Sequence, residues 1–258
     1  MLHGVLLRVS YDGSGFHGWA RQKGSRTVEE TLSGGVLAVD PRAGPVRGAS
    51  RTDAGVHAEG QLAAFDAALD VPARGWVAEI NKHLPEDVAV RAASSVPVGF
   101  SPRLAARSKR YRYRVLVDAV RDPWWRNRAW RLPALDFDAM LPEAAASRGT
   151  HDFASFRAAG DARKSTVRVL TRVDVQRERD PRIVAVIIEG NAFLQHMVRI
   201  LVGTMADVAR GRLAAGAMER AIERRDRRAA GTTAPAHGLV LEEVVVEPLE
   251  GWGERWPP

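Results

Sequence analysis

The sequence predicts an α+β fold of two ferredoxin-like, split βαβ halves, with mainly antiparallel sheets and helices packed on one side. Three observations carry this. The order strand, helix, strand, strand, helix, strand occurs twice along the chain. Strand segments alternate with period two, whereas helical segments repeat every three to four residues. The 258 residues are 45% apolar and 27% charged, a composition that can bury a core, and their length suits two modest units.

In the first half, Val5, Leu7, Val9 and Tyr11 alternate with Leu6, Arg8, Ser10 and Asp12, which predicts a strand broken by Asp12-Gly13. Thr27-Val28-Glu29-Glu30 fits a capping box, and Val28, Leu32, Val36 and Val39 form one apolar helical stripe behind it. Strand-like segments follow at Val46 to Ala49 and Leu62 to Phe65, then a helix-like Trp76 to His83 and a strand at Val88 to Val90.

The second half repeats the order. Tyr111, Tyr113 and Val115 alternate with Arg110, Arg112 and Arg114, and Phe137 to Ala146 is helical in pattern. Val167 to Val175 alternates again before the turn Arg179-Asp180-Pro181-Arg182. Ile183 to Glu189 is apolar on both faces, which predicts a central strand. A long amphipathic helix from Leu194 to Ala209 and a closing strand from Leu239 to Val246 complete it. The expected domains are 1–102 and 103–258, joined near 97–106, with Trp252 to Pro258 as a loosely held tail.

Cysteine is absent, so disulfide frameworks, iron–sulfur clusters and thiol nucleophiles are excluded. The seven histidines show no HxxxH or HExxH spacing, and no cofactor motif is present. The longest apolar run, Ile183 to Ile188, is far below the ~18 residues of a membrane helix, and Met1 to Tyr11 lacks a signal-peptide core. The expectation is a soluble cytoplasmic protein without cofactor or metal.

The formal charge is +7, and 34 of 38 basic residues are arginine, whose planar fork suits phosphate. Coding bias explains arginine abundance equally well; the distribution says more. Arg103 to Arg131 holds ten basic residues against Asp118 and Asp122, whereas Glu242, Glu243, Glu247, Glu250 and Glu254 face only Arg255 at the end.

Four stretches can carry chemistry. In Arg51-Thr52-Asp53-Ala54-Gly55-Val56-His57-Ala58, a carboxylate sits between a guanidinium and two small residues. Arg51 would hold Asp53 ionised, as a nucleophile or base requires; the same pattern also makes an ordinary turn or cap. In Lys109 to Arg114, period two sends arginines one way and tyrosines the other. That suits unpaired nucleotides, and equally an edge strand with buried tyrosines. The helix from Leu194 carries His196, Arg199, Gly203, Asp207 and Arg210 opposite its apolar stripe, which reads first as a solvated face. The loop Asp12 to Trp19 contains GxG but lacks the spacing of a dinucleotide fingerprint, and His17 and His57 read first as loop ties.

Taken together these residues resemble the tRNA pseudouridine synthase A family from about Val5 to Val246. The family's reactive block GRTDAGVHA is matched by SRTDAGVHA at 50–58. Supporting blocks follow in order: Tyr11-Asp12-Gly13 with Gly18-Trp19, Asn81 with Leu84-Pro85, Arg110 to Tyr113, His151-Asp152-Phe153 with Ser155-Phe156, Asn191-Ala192-Phe193 with His196 to Arg199, and Thr233 to Ala236 before Gly238-Leu239. The departures are Ser50 for glycine, Ala20 for the usual glutamine and Ser101 for the usual histidine.

The resemblance implies the pseudouridine synthase fold and a homodimeric, cofactor-free isomerase acting on uridines 38, 39 and 40 in the anticodon arm of tRNA. By the same resemblance Asp53 is the catalytic aspartate and Tyr111 packs against the target uracil. Arg51 accompanies base extrusion, and Arg199 is the basic residue that pairs with the catalytic carboxylate. The rival readings are a noncatalytic RNA-binding protein with Asp53 as a loop cap, and a metal-dependent phosphodiesterase using Asp12, Asp53 and His57.

Overall fold

In the computed structural model, which describes residues 1–161 and 163–246, the chain forms two units, Met1–Arg107 together with Leu241 to Val246, and Ser108–Val240. The expected tail and the acidic residues from Glu247 on lie outside the described residues. The fold is mixed α+β with mainly antiparallel strand pairing, as the sequence predicts.

The first unit contains β1 (His3–Tyr11), α1 (Val28–Val39), β2 (Arg47–Gly48), β3 (His57–Ala67), α2 (Ala73–Asn81), β4 (Val88–Val96) and the one-turn α3 (Pro102–Ala105). β1 lies between β4 and β3, and β2 pairs with β3, all antiparallel, which is the split βαβ arrangement. β3 is longer than the Leu62 to Phe65 core suggests because nearly all its residues are buried, blurring the alternation. α1 buries Val28, Leu32 and Val36 and packs against α2, whose Trp76 meets Phe65 edge-on at 5.2 Å. Asn81 ends α2 by bonding both backbone groups of Val90 at 2.8 Å.

The capping box does not form. Thr27 precedes α1 as expected, but its hydroxyl caps nothing and is buried without a partner. The first N–H groups of α1 go elsewhere, and that choice positions the site described below.

The second unit contains β5 (Ala106–Val117), β6 (Trp130–Leu132), α4 (Phe137–Ser147), β7 (Gly149–Asp152), β8 (Val167–Arg177), β9 (Ile183–Gly190), α5 (Met197–Ala209), α6 (Ala217–Arg224) and the start of β10 (Leu239–Val246). The order is β5-β9-β8-β7, antiparallel throughout, with β6 parallel to β5. β9 is central, as its unbroken apolar run predicts. Asp136 caps α4, and buried Glu143 accepts the N–H groups of Gly216 and Met218 to start α6. Among the described residues no helix is long and apolar enough to cross a membrane.

Candidate active site

Asp53 lies half-buried in the loop between β2 and β3, and backbone hydrogen bonds fix that loop from both sides. A helix begins with N–H groups that lack partners inside it. In α1 these are Val28 N, which donates to the Gly18 carbonyl at 3.2 Å, and Glu29 N, which donates to the Trp19 carbonyl at 3.0 Å. Trp19 N in turn donates to the Thr52 carbonyl at 3.1 Å, and Gly55 N to the Phe16 carbonyl at 3.2 Å. Val56 N closes the turn onto the Asp53 carbonyl. The buried hydroxyls of Tyr11 and Thr52 meet at 2.7 Å.

Glycine makes this approach possible. At Gly18, where φ is +93°, an added Cβ would lie 2.7 Å from the Thr52 carbonyl oxygen. Upstream, Gln61 bonds both backbone groups of buried Ser50, so the residue that replaces the family's glycine is held by its main chain.

His57 is buried and ties the same two loops together. Its Nδ1 accepts the Gly13 N–H at 3.0 Å, while Asp12 Oδ1 approaches that nitrogen at 3.2 Å. Both cannot use one nitrogen as donor and acceptor at once. The directed Gly13 N–H makes Nδ1 the acceptor, and Asp12 Oδ1 takes the Ser14 N–H at 2.9 Å. Asp12 and His57 therefore act as loop ties. Among the described residues no three His, Cys, Asp or Glu side chains gather as a metal site would require.

Arg51 does not pair with Asp53, as the sequence pattern alone suggests it could. Its guanidinium is exposed and makes no ion pair with Asp53 or any other described residue. Between the two, Thr52 turns inward to Tyr11, which leaves Arg51 facing solvent.

Tyr111 and Arg199 belong to the second unit. Tyr111 is 6% exposed and meets Phe193 edge-on, with ring centroids 5.0 Å apart. On the other face of β5, Arg112 and Arg114 bond Glu178 at 2.8 and 3.0 Å, and Arg110 lies 3.5 Å from Glu189. This strand thus buries its tyrosines and pairs its arginines with acids.

The polar face of α5 is covered, not solvated. Arg199 Nε donates to the Ala234 carbonyl at 2.8 Å, and Ala234 N donates back to the Arg199 carbonyl at 3.0 Å. A Cβ on Gly203 would collide with the Thr232 carbonyl, and buried Asp207 accepts both the N–H and the hydroxyl of Thr232. Segment 231–235 lies along that face, and Tyr113, whose phenol is pushed far up by burial, donates to the Pro235 carbonyl at 2.8 Å. The sequence pattern gives no sign of Gln61, nor that segment 231–235 would cover this helix face and take the Tyr113 hydroxyl. The one available signal was a glycine and an acid facing opposite the apolar stripe of α5.

Comparison with known proteins adds an independent line. The family described as tRNA pseudouridine synthase matches residues 144–245. A tRNA pseudouridine synthase A of Acetivibrio thermocellus is 39% identical over 244 residues, covering 94% of this chain and 99% of the relative. Proteins of the same description from Halalkalibacterium halodurans and Myxococcus xanthus are each 41% identical, over 92% and 93% of this chain and 90% and 91% of theirs.

Proposed function

This chain belongs to the tRNA pseudouridine synthase A family, and from that premise we propose that it isomerises uridine to pseudouridine in tRNA with Asp53 as the catalytic carboxylate. The observation that carries the reading is the loop around Asp53. Backbone hydrogen bonds on both sides hold a half-buried acid at a fixed place, which is what a reacting carboxylate needs and what a surface cap does not.

The reaction breaks the N1–C1′ bond of uridine, turns the uracil and joins its C5 to C1′. C5 loses a proton and N1 gains one, so atoms and electrons balance within one nucleotide. Asp53 acts at the ribose and base once the nucleotide has left its stack. Tyr111, held edge-on by Phe193, offers a ring that does not need ordering when the uracil arrives. Arg51, exposed and without an ion pair among the described residues, is available to the space that the base vacates. The resemblance assigns Arg199, whose Nε donates to the Ala234 carbonyl, a basic role in the reaction.

The resemblance carries the finer reading: the anticodon arm, uridines 38, 39 and 40, a homodimer and the cytoplasm. Mapping pseudouridine in unmodified tRNA treated with the purified protein tests it. The expected product is pseudouridine confined to those positions, and a tRNA bound but left unmodified would favour a noncatalytic RNA-binding protein.

A further inference from the structure

The loop between β5 and β6 contains two adjacent tryptophans with opposite fates. Trp125 packs onto the buried cluster of Leu116, Ala129 and Ile183, whereas Trp124 is 88% exposed. An indole in water forfeits the burial that normally stabilises a ring of this size. The loop that presents it is nevertheless firmly built. Asp118 accepts the Val120 N–H at 2.9 Å, and Asp122 accepts the Trp124 N–H at 3.0 Å. Arg182 grips Asp118, Asp122 and Asp180 at 2.9, 3.1 and 2.8 Å, and Arg131 donates to the carbonyls of Asp118 and Ala119.

The charge balance of the loop points to one class of partner. Both acids of the loop are engaged by Arg182, while Arg121, Arg126 and Arg128 are exposed and have no ion pair among the described residues. An exposed indole on a firmly tied loop that also carries exposed guanidinium groups suits an unpaired base between phosphates. Three exposed guanidinium groups in one loop favour a phosphate-bearing partner, because each phosphate they meet releases counterions.

We propose that the loop Asp118–Ala129 is an RNA-docking element in which Trp124 stacks on an unpaired tRNA base and Arg121, Arg126 and Arg128 meet the flanking phosphates. The proposal rests on tRNA being the substrate. It adds a contact that binds substrate and transition state alike, so its loss raises KM more than it lowers kcat.

The test measures tRNA affinity and pseudouridine formation side by side for Trp124→Ala, Trp124→Phe and the double variant Arg126→Ala with Arg128→Ala. For Trp124→Ala the expected result is about a tenfold rise in Kd and KM with kcat within about twofold, and Trp124→Phe recovers most of the loss. The double arginine variant reduces the slope of log Kd against log salt by about 1.5. An unchanged Kd in Trp124→Ala overturns the proposal, as does a shift in sedimentation that marks Trp124 as a contact between copies. If the wild-type protein makes no pseudouridine, the enzymatic reading fails by itself, and the loop is judged on Kd alone.

Discussion

The hydroxyls of Tyr11 and Thr52 meet at 2.7 Å in a buried position, which ties the end of β1 to the residue immediately before Asp53. Tyr11→Phe leaves the Thr52 hydroxyl buried without that partner. The expected cost is about 1 to 3 kcal/mol in urea unfolding, together with a fall in kcat as the loop loosens. Adding Thr52→Val to Tyr11→Phe restores part of the stability, because neither polar group is then stranded.

Gly18→Ala puts a Cβ where the Thr52 carbonyl lies and asks an alanine to hold a φ of +93°. The loop carrying Asp53 has to move. A displacement of about 1 Å costs a reaction of this kind on the order of a hundredfold in rate. Single-turnover kinetics should show that loss, while tRNA affinity stays within a few fold.

Arg47 and Asp66 give the first unit an acid-sensitive tie. Burial opposes the charge on Asp66, but the two bonds from Arg47 at 2.8 and 3.0 Å and the Gly99 N–H outweigh it and hold the carboxyl below its usual 3.8. A depressed folded value means that the unfolded chain binds the proton first. The stabilisation is therefore complete above about pH 5 and is lost as pH falls through the folded value. Asp66→Asn should cost about 1 to 3 kcal/mol at pH 7, with the gap in Tm from wild type closing toward pH 3.

Tyr111→Phe keeps the ring against Phe193 and should retain most of the stacking on the target base. Tyr111→Ala opens a cavity costing about 3 to 5 kcal/mol of stability and removes stacking worth about 1 to 3 kcal/mol. Equal loss of affinity in both variants would assign the effect to the hydroxyl.

Much of this architecture is legible in the sequence, wherever one periodicity dominates. Ile183 to Ile188 reads as a central strand, and Val28, Leu32 and Val36 read as the buried stripe of α1, because burial alone sets those patterns. β6, β7 and α6 escape because they are short, and short segments carry too little period to read. The capping box at Thr27 does not form, and the carbonyls of Gly18 and Trp19, distant in pattern from the helix, take its first two N–H groups. The polar face of α5 reads as solvated, since nothing local reveals that 231–235 will cover it. For the site, the motif singles out Asp53, whereas the backbone scaffold that fixes it involves no side-chain type that a sequence pattern records.

The most direct measurement is tritium release from 5-tritiated uridine in tRNA by the Asp53→Asn variant. That change removes the carboxylate while keeping its shape. The account predicts release at background with tRNA affinity within a few fold of wild type, and undiminished release would contradict it.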